Sequence, residues 1–359
     1  MIEPFKPYAP EQPWLPFSEV LLDWDDDFHQ LMLCDHIRMV AYENAIRSLV
    51  RPGQVVVDLG TGTGILALWA LQAGAERVYG IDLDAGVLEL AAQRMHAHGF
   101  TDRFIAVNKL SYDVVLPEPA DVLISEIMGN VGDNEDFQPI LQDAIARLLK
   151  PGGIAIPSAV DTFIVPVEAM RTHQAIRNGA VATLNSRYQF QQLLRQKNIC
   201  NPFNLYYDTI IPQRQHLANV LKVKRYGGDW HQTPQYRRTL EFHVKKTGTL
   251  TGFKGFFRAQ LAPDVILDIS SGDIRGRRSS DSWKHCFFPI EGPLAVNAGD
   301  SIQLCFERRY PHDQAPFRQI YSWRGGIRYR DNGREADNTT LPSQFQHSMD
   351  ETTLTAVPA

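Results

Sequence analysis

Two glutamates nine residues apart, Glu126 and Glu135, bracket a loop that begins Ser125-Glu126-Ile-Met128-Gly129-Asn. Acidic side chains at the two ends of a glycine-containing loop can converge on one planar cation. A guanidinium matches them best, because its fork of N–H donors serves two acceptors at once. Such a clamp would aim a terminal nitrogen at an electrophile and leave it a usable lone pair. A second constellation offers the electrophile a seat. Val55-Val-Val-Asp58-Leu-Gly60-Thr-Gly62-Thr63-Gly64 reads as a strand running into a tight glycine turn. Asp82, eighteen residues past Gly64, ends a second strand, where a carboxylate can accept both hydroxyls of a ribose. A dinucleotide fingerprint needs its third glycine at position 65, where Ile65 stands. The pattern therefore favours a nucleoside ligand without phosphates, and S-adenosylmethionine is the obvious candidate.

These residues need a scaffold that brings strand ends together. Helical spacing from about Phe28 to Leu49 is followed by strand 55–59, helix 64–73, strand 77–82, helix 84–98, strands 104–107 and 120–125, a helix near 137–149, and strand 154–156. That alternation predicts a doubly wound, Rossmann-like parallel sheet over 28–157, whose ligands lie outside the carboxyl ends of the strands. From 158 to 330 the runs become strand-like, with a helical insertion at about 183–197, which predicts a β-barrel-like domain with a helical arm. Residues 1–27 read as an extended lead-in and 331–359 as a disordered tail.

Composition narrows the class. A formal charge of −5 gives no support for a nucleic-acid surface. No apolar run reaches bilayer length, so no membrane span is expected. Cys34, Cys200, Cys286 and Cys305 form no Cys-x-x-Cys pair, which points to reduced thiols in the cytoplasm and to no metal site.

The chain resembles the protein arginine methyltransferases, class I enzymes that use S-adenosylmethionine, from about residue 28 to 325. His29-Gln-Leu-Met32-Leu33-Cys-Asp35-His-Ile-Arg38 is similar to the helix that covers the cofactor, and Val57 to Leu66 to the cofactor loop. Ser125-Glu126-Ile-Met128-Gly129 with Glu135 resembles the double-glutamate loop, and Asp281-Ser282-Trp283-Lys284 the Thr-His-Trp loop of the barrel. The resemblance implies that Glu126 and Glu135 grip the acceptor guanidinium. It gives His29, Met32, Arg38, Asp58, Gly60, Gly62, Asp82, Leu83, Lys109, Leu110, Ser111 and Glu126 to the cofactor, with Arg38 on its carboxylate, Asp82 on its ribose and 109–111 beside adenine. Asp35, Met128, Ser282 and Trp283 fall to the acceptor. It further implies a homodimer built by a helical arm at about 183–205.

The chain also departs from that pattern. Val20 to Phe28 replaces a tyrosine-rich helix, Ile127 a tryptophan and Ser282 the loop histidine. His285 is a poor substitute on a strand, since it shares a face with Trp283 and not with 282. Asp35, the usual partner of that histidine, is expected to lack its mate. These changes leave a guanidino nitrogen on a protein, peptide or small metabolite as the expected acceptor. The alternatives are another nitrogen or oxygen nucleophile, or a non-catalytic cofactor scaffold.

Overall fold

The computed structural model describes residues 9–16, 31–182, 187–228, 230–311, 317–330 and 343–351. The first half is a five-stranded parallel sheet in the order β3-β2-β1-β4-β5. Its strands are β1 (Val55–Leu59), β2 (Arg77–Asp82), β3 (Phe104–Asn108), β4 (Ala120–Ser125) and β5 (Leu149–Ile156), interleaved with α1 (His36–Leu49), α2 (Ile65–Gln72), α3 (Ala85–Ala97) and α4 (Phe137–Leu148). Val55, Val56 and Val57 are buried, as a strand covered on both faces requires. The strand order reverses between β1 and β4, so ligands belong at the ends of those two strands.

The second half holds two antiparallel sheets. One has the order β7-β12-β10-β6-β8, with β11 beside β10; the other runs β15-β14-β13-β9. The strands are β6 (Ala159–Val167), β7 (Tyr207–Thr209), β8 (Leu221–Gly227), β9 (Tyr236–His243), β10 (Gly248–Ala262), β11 (Val265–Asp268), β12 (His285–Val296), β13 (Ser301–Arg309), β14 (Ile320–Arg328) and β15 (Ser343–Ser348). Phe288, Phe306, Tyr321 and Trp323 pack edge-on and stacked between the sheets with ring centroids 4.9–5.7 Å apart. This is the barrel-like second domain expected from the strand-rich sequence.

Four expectations need correction. The helix expected from 28 to 49 is interrupted at Asp35, whose carboxylate accepts from the Ile37 and Arg38 amides (3.1 and 3.2 Å) and so starts α1 afresh. Within the lead-in, Leu15 is buried and Trp14 exchanges backbone bonds with Asp208 (2.7 and 2.9 Å), so this stretch is stitched to the edge of the barrel. The tail contains β15, which pairs with β14 from Ser322 to Ile327 because Phe345 and His347 alternate inward. The insertion is two helices, α5 (Met170–Asn178) and α6 (Arg187–Gln196). Of α6, Phe190 and Leu194 are buried, Phe190 lying 6.3 Å from Tyr207 of the same chain.

Candidate active site

The glycine loop does what its spacing requires. Gly60, Gly62 and Gly64 have φ of 71°, 51° and 79°, in the left-handed region open to glycine. A Cβ on Gly64 would lie 2.8 Å from Ala91 Cβ, so glycine also lets α3 close on the loop. Asp58 is fully buried at the end of β1; its Oδ2 accepts from Thr61 Oγ1 (2.7 Å) and the Ala67 amide (3.0 Å), while Oδ1 has no partner. Burial lifts this carboxyl to about 7, against the pull of those two bonds. An orphaned, desolvated carboxylate oxygen above a glycine cradle suits a ligand ammonium, as an amino-acid-bearing nucleoside would present. Asp82 accepts from the Gly62 amide (2.9 Å) and the Asp84 amide (3.1 Å) at the end of β2. Beside it Leu83 is 66% exposed, and across the next strand end Lys109 and Leu110 are exposed too, an apolar rim that suits a purine. Ser111 is buried, with its carbonyl accepting from Arg147 (2.7 Å). The donor set therefore fits S-adenosylmethionine. His29 lies outside the described residues.

Sequence reasoning missed the residues that hold this frame. Asn108 Nδ2 donates to the carbonyls of Asp82 and Leu83 (3.1 and 2.8 Å), and Arg94 holds Thr63. At the strand-order reversal, Ser125 Oγ donates to the Leu59 carbonyl and Tyr42 Oη to the Ser125 carbonyl, each at 2.9 Å. Glu126 thus leaves β4 from a fixed point beside the glycine loop, where the side chain of Ile127 would stand 3.0 Å from a Cβ on Gly60.

Glu126 is buried and its Oε2 accepts from Arg38 Nε at 2.8 Å, while Arg38 Nη1 donates to the Met32 carbonyl at 3.3 Å. The guanidinium expected on the cofactor side therefore also fixes the carboxylate of Glu126. Among the described residues Glu126 Oε1 receives a long contact from the Met128 amide (3.4 Å), which leaves capacity for an acceptor N–H. The loop beyond it is pinched by an antiparallel bridge between Gly129 and Gly132. The bridge turns the chain back on itself between Glu126 and Glu135. Gly129 is obligatory here, since a Cβ would fall 2.3 Å from Asn134 Oδ1.

Comparison with known proteins meets this geometry from both ends of the chain. The profile of "Ribosomal protein L11 methyltransferase (PrmA)" matches residues 40–161, and that of the "PRMT5 oligomerisation domain" residues 159–323. "Protein arginine N-methyltransferase PRMT10" of Oryza sativa subsp. japonica is 26% identical over 306 residues, covering 78% of this chain and 80% of that protein. "Protein arginine N-methyltransferase 6" of Xenopus laevis is 37% identical over 145 residues, 40% of this chain and 42% of the relative. Both halves of the chain are thus similar to protein arginine methyltransferases. The fold agrees: Arabidopsis thaliana protein arginine methyltransferase 10 superposes with a TM-score of 0.74 at 21% identity, over 90% of this chain and 97% of that one. A Trypanosoma brucei PRMT1 enzyme–prozyme heterotetramer with AdoHcy superposes with a TM-score of 0.71 at 18% identity, over 89% and 97%.

In this methyltransferase the acceptor-side departures have structural answers. Asp35, expected to lack a mate, is saturated: Oδ2 accepts from Ser280 Oγ, Ser282 Oγ (2.6 Å) and the amides of Asp281 (3.1 Å) and Ser282 (2.9 Å). It is fully buried and staples the start of α1 to the barrel loop, so it does not face an acceptor. Ser282 takes over the bond to Asp35. Met128 is buried and gives its carbonyl to Trp283 Nε1 (2.7 Å), and Trp283 packs edge-on against Phe257 at 5.2 Å. These two residues lock the double-glutamate loop to the barrel and are not open pocket walls. His285 is buried elsewhere: its Nδ1 accepts from the Ile211 amide (2.9 Å) and its Nε2 donates to the Ile269 carbonyl (3.0 Å). Burial, and then the charge of Lys254, hold its imidazole well below the ordinary histidine range.

Ser282→Ala is accordingly expected to lower unfolding stability by about 1–2 kcal/mol, because one of the four donors to Oδ2 of a buried carboxylate is lost. Turnover should stay within a fewfold of wild type. Thermal melting alongside initial rates decides the matter: an unchanged midpoint with a hundredfold slower rate would place Ser282 on the acceptor instead.

The other flank of the loop is held by charge. Asp133 and Asp136 bracket Glu135, and buried Arg308 of β13 reaches both, with Nη2 donating to Asp136 Oδ1 at 3.1 Å and Nε 3.8 Å from Asp133 Oδ1. Tyr226 Oη (2.9 Å) and Tyr321 Oη also donate to Asp133, and Tyr310 Oη to Asp136 (3.0 Å). Burial, followed by the Asp133 charge, raises the Tyr226 and Tyr321 phenols, so both stay protonated donors. Among the described residues no group of three metal-ligating side chains occurs.

Proposed function

We propose that the chain transfers a methyl group to a guanidine nitrogen of arginine in protein substrates. The observation that carries this is Glu126 at the carboxyl end of β4, beside the glycine loop and held by Arg38 through Oε2 at 2.8 Å, with Glu135 nine residues on in the same glycine-pinched loop. When bound, S-adenosylmethionine supplies an electrophilic methyl on a positively charged sulfur. Asp58, Gly60, Gly62, Asp82, Leu83, Leu110 and Arg38 are the residues that would hold it. Glu126 and Glu135 pair with two edges of the acceptor guanidinium, which fixes its plane and draws its positive charge away from the attacking nitrogen. That nitrogen would form one N–C bond as the methyl's bond to sulfur breaks, its electron pair staying on sulfur as a neutral thioether, and it sheds one proton. Glu126 Oε1, the carboxylate oxygen with capacity to spare, can take it. His285 is not placed to act as base, because it is buried in the barrel, and Asp35 bonds to Ser282 in place of a histidine. The retained pair of glutamates speaks against a decayed scaffold.

We further infer a homodimer and a cytoplasmic home. The amphipathic α6 with Tyr188 exposed supports the first, and four free cysteines support the second. No described helix is long and apolar enough to cross a membrane.

The decisive assay incubates the protein with methyl-labelled cofactor and matched peptides containing arginine or lysine. Label should enter the arginine peptides alone and return as methylarginine after hydrolysis. Label confined to a metabolite extract, with every arginine peptide blank, would refute the proposal.

A further inference from the structure

Resting on that reading, we infer that the loop 272–279 recognises acidic residues flanking the target arginine, so that the preferred substrates are acidic protein segments. The loop is wound on Asp273. Its Oδ1 accepts from the Gly276 amide (2.9 Å), and its Oδ2 from Arg278 Nε and Nη2 (2.9 and 2.7 Å). The Arg278 amide returns to the Asp273 carbonyl (3.0 Å) and the Arg277 amide to the Ile274 carbonyl (3.2 Å). A Cβ on Gly276 would fall 2.3 Å from Asp273 Oδ2, so the turn is as tight as the chain allows. Arg277 completes it in the left-handed region, at φ 51°.

The consequence is a sorting of charges. Arg278 is spent on Asp273, while Arg275 and Arg277, one residue apart, are exposed and make no ion pair among the described residues. Two like charges on one short turn favour an added counter-charge, and a carboxylate can accept from the donors of either guanidinium. Beyond Asp273 the next acid along the chain is exposed Asp281, whose carboxyl is pushed up by burial and then by Asp35, against the pull of Arg277. That leaves the tip with an excess of one positive charge on a chain whose formal charge is −5.

Position decides what the tip can reach. The next residues, Ser280 to Ser282, bond to Asp35 Oδ2. Asp35 caps α1 through the Arg38 amide, and Arg38 holds Glu126 at 2.8 Å. The loop that carries the basic tip is therefore linked through one buried carboxylate to the helix whose Arg38 holds Glu126. A peptide whose arginine enters between Glu126 and Glu135 brings its neighbouring residues to this rim. The clamp's carboxylates select the target side chain by its positive charge, and the rim selects the opposite charge beside it.

The test uses synthetic peptides carrying one arginine flanked by Asp or Glu, by Ser and Gly, or by Lys. At low salt, kcat/KM for the acidic peptide should exceed that of the neutral one by about fivefold to tenfold, through KM alone, as two exposed pairs allow. The gap should close near 0.5 M salt, where screening acts over a few ångströms. Arg275→Glu with Arg277→Glu should invert the order in favour of the lysine peptide, with an unchanged melting midpoint because both side chains are exposed. The same rank order in this double variant as in wild type would overturn the inference. Fluorescence anisotropy of the peptides, with S-adenosylhomocysteine present, reads the preference without turnover. Acid preference in binding with no methylation of any peptide would sink the proposed reaction and leave the role of the loop standing. Equal binding of all three peptides would sink the role of the loop alone.

Discussion

Glu126→Gln is expected to lower kcat by about a hundredfold to a thousandfold, the range found when one preorganised charge-stabilising group is removed. The amide keeps the shape of the side chain but loses the charge that opposes the guanidinium and the oxygen that can receive its proton. Cofactor affinity should change by no more than a fewfold, since Asp58, Asp82 and the glycine loop are untouched. Any change should favour binding, because Arg38, now 2.8 Å from a carboxylate, would be released toward an incoming one. Glu135→Gln should cause a loss of the same order, and the double variant should be little worse than either, as residues acting as a unit are non-additive. Single-turnover rates and calorimetric titration with the product cofactor separate the two effects. A fully active Glu126→Gln enzyme would show that the clamp does no chemistry. Lost cofactor binding would show that Glu126 belongs to the cofactor site and that its contact with Arg38 is essential there.

The parts of this site visible in the sequence are those whose physics is local. Three consecutive valines, a glycine turn and a carboxylate at a strand end each fix their own neighbourhood, so β1, the cofactor loop and Asp82 could be read directly. The turn of the chain between Glu126 and Glu135 was legible for the same reason, because both residues lie within one short segment. The mate of Asp35 was not, since Ser282 is 247 residues away and a serine carries no distinctive pattern. Its hydroxyl matters only because the barrel loop returns to the start of α1. Met128 and Trp283 looked like acceptor contacts by position, yet their bond to each other turns them into the seam between sheet and barrel. β15 was hidden because its inward residues, Phe345 and His347, alternate with glutamines in a polar tail, and only the waiting edge of β14 makes that alternation a strand.

Arg308 poses the same difficulty in its sharpest form, since an arginine in a strand says nothing about burial until its partners are known. Arg308→Met should be strongly destabilising, by about 3–5 kcal/mol, because Asp133 is left charged and buried with its countercharge gone. For a chain of this size that corresponds to a fall of about 10 °C in melting midpoint. The effect should reach the active site, because Asp133 and Asp136 bracket Glu135 and both lose their anchor. Asp136 sits at φ 57°, a conformation that aspartate keeps only where its surroundings enforce it. The folded variant should therefore show kcat lowered about tenfold with cofactor affinity intact. Arg308→Met combined with Asp133→Asn distinguishes packing from positioning. Removing the stranded charge should recover much of the stability, since the tyrosines can still bond to the amide, but turnover should stay low while Asp136 is untethered. If the double variant regains both, Arg308 only neutralises a buried acid and Glu135 owes its place to the backbone alone. If Arg308→Met melts like wild type, the network carries no stability, and the loop must be held by Thr162 and Trp283, which bond to Val131 and Met128 at 2.8 and 2.7 Å.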